Sequence, residues 1–173
     1  MESKIKVLGH PLHQMLVVFP LGLLGTSVVF DLIYLIGGNS FAANVSYMLI
    51  AAGLIAGAIA APWGTLDWLA IPSGTRAKAI GALHGGGNLI VLLLFAASWW
   101  LRQGDPAHLP SAVAWVVSFC GAAVSMVTAW LGGELVARLG VGVSPHAHLN
   151  ARSSLDGPAE PATAAEAARA RQN

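Results

Sequence analysis

Histidines and acidic residues are the side chains of this sequence whose types and spacing could do chemistry. His10, His13 and His84, with Asp67 and Glu134, lie within or beside long apolar stretches. Polar side chains in such surroundings are costly unless they find partners. Imidazole and carboxylate together form a ligand set suited to Zn, Fe, Mn or Cu(II). The sequence therefore predicts that these five residues bind a metal ion.

The three histidines also fit a haem. Histidines from opposite helices are axial ligands of b-type haem, and Gly85-Gly86-Gly87 beside His84 would clear a helix surface for a flat macrocycle. Arg76 and Lys78 could pair with the propionates. Two buried acids near an anionic cofactor would be unfavourable unless protonated or turned away. A polar network that pins the helices without any cofactor is the third alternative, and all three stay open.

A weak internal repeat links the polar residues. The sequence His10-x-x-x-Gln14 is echoed by His84-x-x-x-Asn88, and Trp63-x-x-x-Asp67 is echoed by Trp130-x-x-x-Glu134. Residues four positions apart share one helix face. Gln14 and Asn88 are therefore predicted to support the histidines from the second shell of the site. Two hairpins related by an axis along the membrane normal would bring both halves together.

Composition predicts the fold class. The chain has 173 residues, of which 55% are hydrophobic and only 10% charged, whereas soluble domains carry about 25% charged residues. Four windows without formal charge each hold about 20 residues, the length needed to cross the hydrocarbon core. We expect an all-α polytopic membrane protein whose four transmembrane helices form two hairpins. The predicted helices are Leu12–Ile36, Ala43–Leu66, Ala82–Leu101 and Ser111–Leu135.

Lysine and arginine predict the orientation. The face that holds both termini, here called side A, carries Lys4, Lys6, Arg76, Lys78, Arg138 and Arg152. The opposite face, side B, carries only Arg102. The positive-inside rule then places side A in the cytoplasm. All five predicted ligands fall near side A, whereas Asp31 falls near side B, where an interfacial or helix-ending role is expected.

Other features limit the possible functions. A net charge of +1 offers no basic surface for nucleic acid, and the single cysteine, Cys120, cannot form an intrachain disulfide. The sequence has no Walker loop, dinucleotide fingerprint or CxxC motif, which disfavours a hydrolase but leaves open whether the protein is an enzyme. Residues 1–149 are the predicted transmembrane domain. Residues 150–173, rich in alanine, proline and charge, are predicted to be a disordered cytoplasmic tail.

Several of these residues carry a resemblance to a known family. The chain resembles the bacterial membrane family catalogued as domain of unknown function 2231, over roughly Val7 to Val143. The similarity lies in His10-Pro11-Leu12-His13, Val18-Phe19-Pro20, Asp67, His84-x-x-x-Asn88, Trp130-Leu131-Gly132-Gly133-Glu134-Leu135-Val136 and Gly140-Val141-Gly142-Val143. Relatives commonly carry a tyrosine where Ala137 stands, which puts any role of that tyrosine in doubt here.

The resemblance implies a four-helix protein of the bacterial inner membrane with no settled activity. Some relatives are fused to Rieske-type iron–sulfur domains, which favours redox work with a Rieske-type or other electron-transfer protein as a separate partner. We therefore expect a redox-active metal or haem b that serves electron transfer. The alternatives are a proton or metal-ion transport module and a structural membrane subunit without cofactor. Four helices could form a complete bundle or half of a homodimer.

Overall fold

The computed structural model of the chain describes residues 1–156. It contains four helices that are long and apolar enough to cross a membrane, which confirms the predicted fold class. The end of the predicted tail, residues 157–173, lies outside the described residues. The helices are α1 (Leu12–Gly37), α2 (Ser40–Ala70), α3 (Arg76–Leu101) and α4 (Ala112–Arg138).

Short polar segments set the helix ends. The Asn39 side chain accepts a hydrogen bond from the backbone N–H of Phe41 and caps α2. Thr75 caps α3 in the same way by accepting from the N–H of Lys78. Hydroxyl and amide oxygens satisfy helix N–H groups that have no intrahelical partner. The cap at Thr75 explains why α3 begins before the predicted Ala82.

The helices are irregular near side A. α1 is interrupted at Val17, between Leu12–Leu16 and Val18–Gly37, because Pro20 has no N–H for the carbonyl of Leu16. α4 ends in a π-helical turn, Glu134–Arg138.

A two-stranded antiparallel ladder, in which β1 (Lys6–Val7) pairs with β2 (His10–Pro11), precedes α1. This ladder departs from the all-α prediction. It forms because Leu8 and Gly9 both adopt positive φ, which suits the tightest hairpin turns.

A small apolar core joins the helices at mid-height. It consists of Leu24 from α1, Ile50 from α2, and Val91 and Phe95 from α3. Glycines let the partner helices approach this core: a Cβ on Gly53 would lie 2.6 Å from Leu24 Cδ2, and one on Gly121 would lie 2.9 Å from Phe95 Cε2. Each hairpin is therefore closely packed around one large apolar residue of its first helix.

The segments before α1 and after α4 meet at the same end of the bundle. The N–H of Gly142 donates to the carbonyl of Met1, and the Ser154 hydroxyl donates to the carbonyl of Leu8. The Lys6 ammonium donates to the Glu2 carboxylate, and this bond holds the pKa of Glu2 below its usual range. This end corresponds to side A, and its cytoplasmic location remains a prediction.

Replacing Phe95 by alanine tests the core. Phe95 is 1% exposed, so the Phe95→Ala variant leaves a cavity between the hairpins. We expect unfolding in mixed micelles titrated with a denaturing detergent to show a loss of about 3–5 kcal/mol in the free energy of unfolding.

Phe41→Ala is the matched control because the Phe41 side chain is 71% exposed. We expect it to lose less than about 1 kcal/mol, since surface substitutions away from special features rarely change stability much. Equal losses in the two variants would contradict the placement of the core.

Candidate functional site

Two of the predicted histidines are held in the same way, one by each hairpin. His13 on α1 donates from Nδ1 to the carbonyl of Ala60 on α2, at 3.1 Å. His84 on α3 donates from Nδ1 to the carbonyl of Thr128 on α4, at 2.8 Å. Because a carbonyl only accepts hydrogen bonds, Nδ1 must carry a proton in both rings, and in the neutral form of each imidazole Nε2 then carries the lone pair.

A glycine supports each imidazole. A Cβ built on Gly64 would lie 2.7 Å from Cε1 of His13, and one on Gly132 would lie 3.0 Å from Cε1 of His84. Each ring therefore lies directly against the backbone of the partner helix. Any larger residue at either glycine would push the imidazole out of its position.

These matching contacts define the true register of the internal repeat. His13 and His84 have the same spacing as Asp31 and Arg102, 71 residues. The buried residues of α1 are Pro20, Leu24, Ser27 and Asp31. The same spacing relates them in order to the buried residues Val91, Phe95 and Ser98 of α3 and to the buried Arg102, which caps the C-terminus of α3. The predicted repeat paired His10 with His84, which differs from this register by three residues. The structure makes His13 the counterpart of His84.

A large cavity lies between the two hairpins. Its volume is about 780 Å³, and its lining includes His13, His84, Gly64, Gly132 and Asn88. Most of the lining is apolar, with contributions from the core residues Leu24, Val91 and Phe95. Two further lining residues, Leu21 and Leu89, are 55% and 58% exposed. The cavity therefore reaches the lipid-facing surface as well as side A.

The cavity lies on the quasi-two-fold axis. Every lining residue of α1 except Gly25 has a lining counterpart on α3 at the 71-residue spacing, and every one of α2 except Thr65 has a lining counterpart on α4 at a spacing of 68, the difference between 60 and 128 and between 64 and 132. The side chains that this axis relates are not all of the same type, because the counterpart of Asn88 is Val17 and the counterpart of Thr128 is Ala60. Asn88 donates to Nε2 of His84 at 3.2 Å and accepts from the Thr128 hydroxyl at 2.9 Å.

His10 does not join the other two histidines. It belongs to β2, outside the helix, and its side chain is exposed with Nε2 3.4 Å from the Ser154 hydroxyl. The sequence pointed to His10 because it lies four residues before Gln14. That spacing places both side chains on one helix face only if the helix begins before Leu12. Gln14 lines the cavity near Gly142, where an added Cβ would lie 2.5 Å from the Gln14 Nε2.

The two acidic residues have other partners. Asp67 accepts from the Ser3 hydroxyl at 2.7 and 2.8 Å and from the backbone N–H of Lys4 at 3.1 Å. Glu134 forms an ion pair with Arg76 at 2.8 Å. Within residues 1–156, no group of three or more His, Cys, Asp or Glu side chains could hold a metal ion. The five predicted ligands are therefore not brought together, because the carboxylates fasten side-A segments to the bundle.

The cations predicted to meet propionates are also engaged elsewhere. Arg76 bonds Glu134 as above, and Lys78 donates to the carbonyl of Trp68 at 2.7 Å. Neither residue lines the cavity.

Sequence reasoning missed a buried ion pair near side B. Asp31 and Arg102 are both 0% exposed, and two hydrogen bonds of 2.8 and 2.7 Å join their side chains. The sequence predicted an interfacial or helix-ending role for Asp31 instead. A signal was available: Asp31 and Arg102 have the same spacing as His13 and His84, but only the correct repeat register reveals it.

A comparison with known protein families identifies the family of the chain. Residues 9–145 match the family described as "Predicted membrane protein (DUF2231)". The chain belongs to this family. Comparisons with curated proteins and with solved structures give no significant match. Membership in the DUF2231 family agrees with the four apolar helices and assigns no reaction.

Nitrogen NMR of ¹⁵N-histidine-labelled protein at about pH 9, well above the ordinary histidine pKa of about 6.5, tests the anchoring of the imidazoles. We expect His13 and His84 to be Nδ1-protonated, because each donates from Nδ1 to a carbonyl. The Gly132→Val substitution should shift the His84 signals toward the Nε2-protonated form that dominates in free imidazole side chains.

Gly133→Val is the matched control, since an added Cβ at Gly133 meets nothing within 4 Å. Its spectrum should equal that of the unsubstituted protein. An unchanged His84 signal in the Gly132→Val variant would show that the ring does not lie against Gly132.

Proposed function

We propose that the cavity binds one b-type haem, with His13 and His84 as its axial ligands, and that the protein serves electron transfer in the membrane. The observation that carries this proposal is the pair of imidazoles on opposite hairpins. Both are anchored through Nδ1 to a backbone carbonyl, and both line one cavity. Such an anchor fixes the tautomer and orients Nε2 for coordination.

The number of ligands favours haem over a metal ion held by protein alone. A bare zinc site uses three or four protein ligands, and residues 1–156 contain no such group. Haem iron already has four porphyrin nitrogens and needs only one axial ligand on each face. Two imidazoles related by a quasi-two-fold axis supply that requirement.

The cavity suits a large flat apolar group. Its volume of about 780 Å³ falls within the range of about 300–1,000 Å³ that is usual for cofactor and ligand sites. Added Cβ atoms at Gly25, Gly85 and Gly86, which all line the cavity, meet nothing within 4 Å. These positions leave open surface along the cavity, and at Gly85 and Gly86 this surface lies beside His84 in the chain.

The Asn88 side chain would have to move before His84 could coordinate a ligand. Its amide donates to Nε2 of His84, the atom that would coordinate iron. Its bond is 3.2 Å long, at the long end of the usual range, and its carbonyl remains held by Thr128. A rotation of one amide would free the lone pair.

The transport alternative finds less support. A permeation path would need polar groups from the cavity to side B, whereas the apolar core of Leu24, Ile50, Val91 and Phe95 lies in that direction. A Rieske-type or other electron-transfer partner, a homodimer and the location in the bacterial inner membrane remain proposals that rest on the family resemblance.

Haem content of the purified protein tests the proposal. Protein from cells supplied with a haem precursor, or reconstituted with haemin in mild detergent, should bind one haem per chain. The optical spectrum should show a six-coordinate low-spin iron, because both axial positions are imidazole. His13→Ala and His84→Ala should each abolish this low-spin spectrum or turn it high-spin.

His10→Ala is the matched control, because His10 lies close along the chain but outside the cavity. It should retain the low-spin spectrum at full occupancy. A folded protein that binds no haem from a replete source would leave the cavity as a structural or transport feature, and loss of haem in His10→Ala would contradict the assignment of the axial ligands.

A further inference from the structure

The ion pair of Asp31 and Arg102 lies where the two hairpins meet near side B. Arg102 Nη1 donates to Asp31 Oδ1 at 2.8 Å, and Nη2 donates to Oδ2 at 2.7 Å. Two parallel hydrogen bonds therefore join the guanidinium to the carboxylate. Both side chains are 0% exposed. Charges removed from water this fully need excellent geometry and further hydrogen bonds.

Three serines complete the cluster. Ser118 donates to Asp31 at 3.0 Å, and Arg102 donates to Ser46 at 3.2 Å and to Ser98 at 3.3 Å. Asp31 is on α1, Ser46 on α2, Ser98 on α3 with Arg102 at its C-terminal cap, and Ser118 on α4. All four helices therefore meet in one buried polar cluster, which we call the side-B clamp.

The clamp and the imidazoles occupy matching heights on the same two helices. His13 and Asp31 are both on α1, and His84 is on α3, which Arg102 caps; the members of each pair are 18 positions apart. At about 1.5 Å per residue, this spacing corresponds to about 27 Å along each helix. Any slip of α1 against α3 at the clamp would shift one imidazole past the other by the same amount.

We infer that Asp31 and Arg102 are positioning residues that fix the longitudinal register of α1 against α3 and thereby set His13 opposite His84. The two helices belong to different hairpins, so no short turn fixes their register. Apolar contacts are not directional and tolerate small shifts, whereas the planar guanidinium meets a carboxylate bidentately in only one register. The identity of the group that the imidazoles bind rests on the proposed function, whereas the inferred register of the helices does not.

The quasi-two-fold axis makes this inference unusually testable. Asp31 and Arg102 are counterparts in the repeat, and each has a serine four residues earlier in its own helix, Ser27 and Ser98. Hydroxyls both donate and accept hydrogen bonds. Exchanging the two charges would therefore leave an arginine beside Ser27 and Ser118 and an aspartate beside Ser98 and Ser46.

The experiment measures the distance between α1 and α3 near side A. Spin labels are placed on Met15→Cys and Leu83→Cys, whose native side chains are 45% and 61% exposed and do not line the cavity. The free Cys120 is replaced by serine. Pulsed electron paramagnetic resonance in detergent then reports the distance distribution in the full chain without added haem.

Neutralising the clamp should change this distribution. We expect Asp31→Asn to broaden the distribution or shift its mean by about 1.5 Å or more, the rise of one helical residue. The double variant Asp31→Arg/Arg102→Asp should restore the original distribution. Arg102→Lys keeps the charge but loses the bidentate geometry, so it should broaden the distance distribution. It serves as the second variant if the double variant does not fold.

The control is Glu134→Gln, which breaks the ion pair between α3 and α4 within one hairpin and should leave the distribution unchanged. A distribution that Asp31→Asn and Arg102→Lys both leave unchanged would overturn the inference. A folded double variant that stays as broad as Asp31→Asn would overturn it as well.

Haem reconstitution of the same variants separates the two proposals. With the proposed function correct, Asp31→Asn should convert part of the low-spin spectrum to high-spin, and the double variant should return it to low-spin. If the native chain binds no haem while the distance measurement behaves as expected, the positioning role stands and the proposed function fails.

Discussion

The bilayer interior provides no water to hydrogen-bond a polar side chain, and the structure follows from that constraint. Several inward-facing polar groups of the spans find their partners on other helices. Asp31 and Arg102 meet each other and three serines at one level. The imidazoles of His13 and His84 donate to backbone carbonyls at another level. Each bond ties one helix to its neighbour at a defined height.

These two levels give the bundle its shape. Near side B the charged pair brings the hairpins together, and at mid-height the apolar core fills the space between them. Toward side A the hairpins enclose a cavity, because glycines and small residues line it where larger side chains would have met. The segments around Met1–Ser3 and Gly140–Gly142 lie across this end and are fastened to each other and to Asp67.

The internal repeat explains the symmetry of the site, and differences between the two repeats make the surroundings of its two imidazoles unequal. Matching contacts hold the two imidazoles, yet Asn88 and Thr128 add polar groups beside His84 that Val17 and Ala60 do not add beside His13. Two axial ligands of the same type in unequal surroundings would give a bound group two distinct faces.

The sequence by itself determined the four spans, their hairpin order and the gathering of polar residues near side A, because hydrophobic length and charge-free windows follow from transfer free energies of single residues. It also predicted roles for His13, His84 and Asn88 in binding a cofactor, and these roles stay predictions. Only the tertiary structure decided which polar groups meet. Helix phase and register settled that His10 stays outside, that Asp67 and Glu134 bind Ser3 and Arg76, and that Asp31 lies buried against Arg102. These pairings depend on contacts between residues far apart in the chain, and no local pattern specifies the height at which two helices pack.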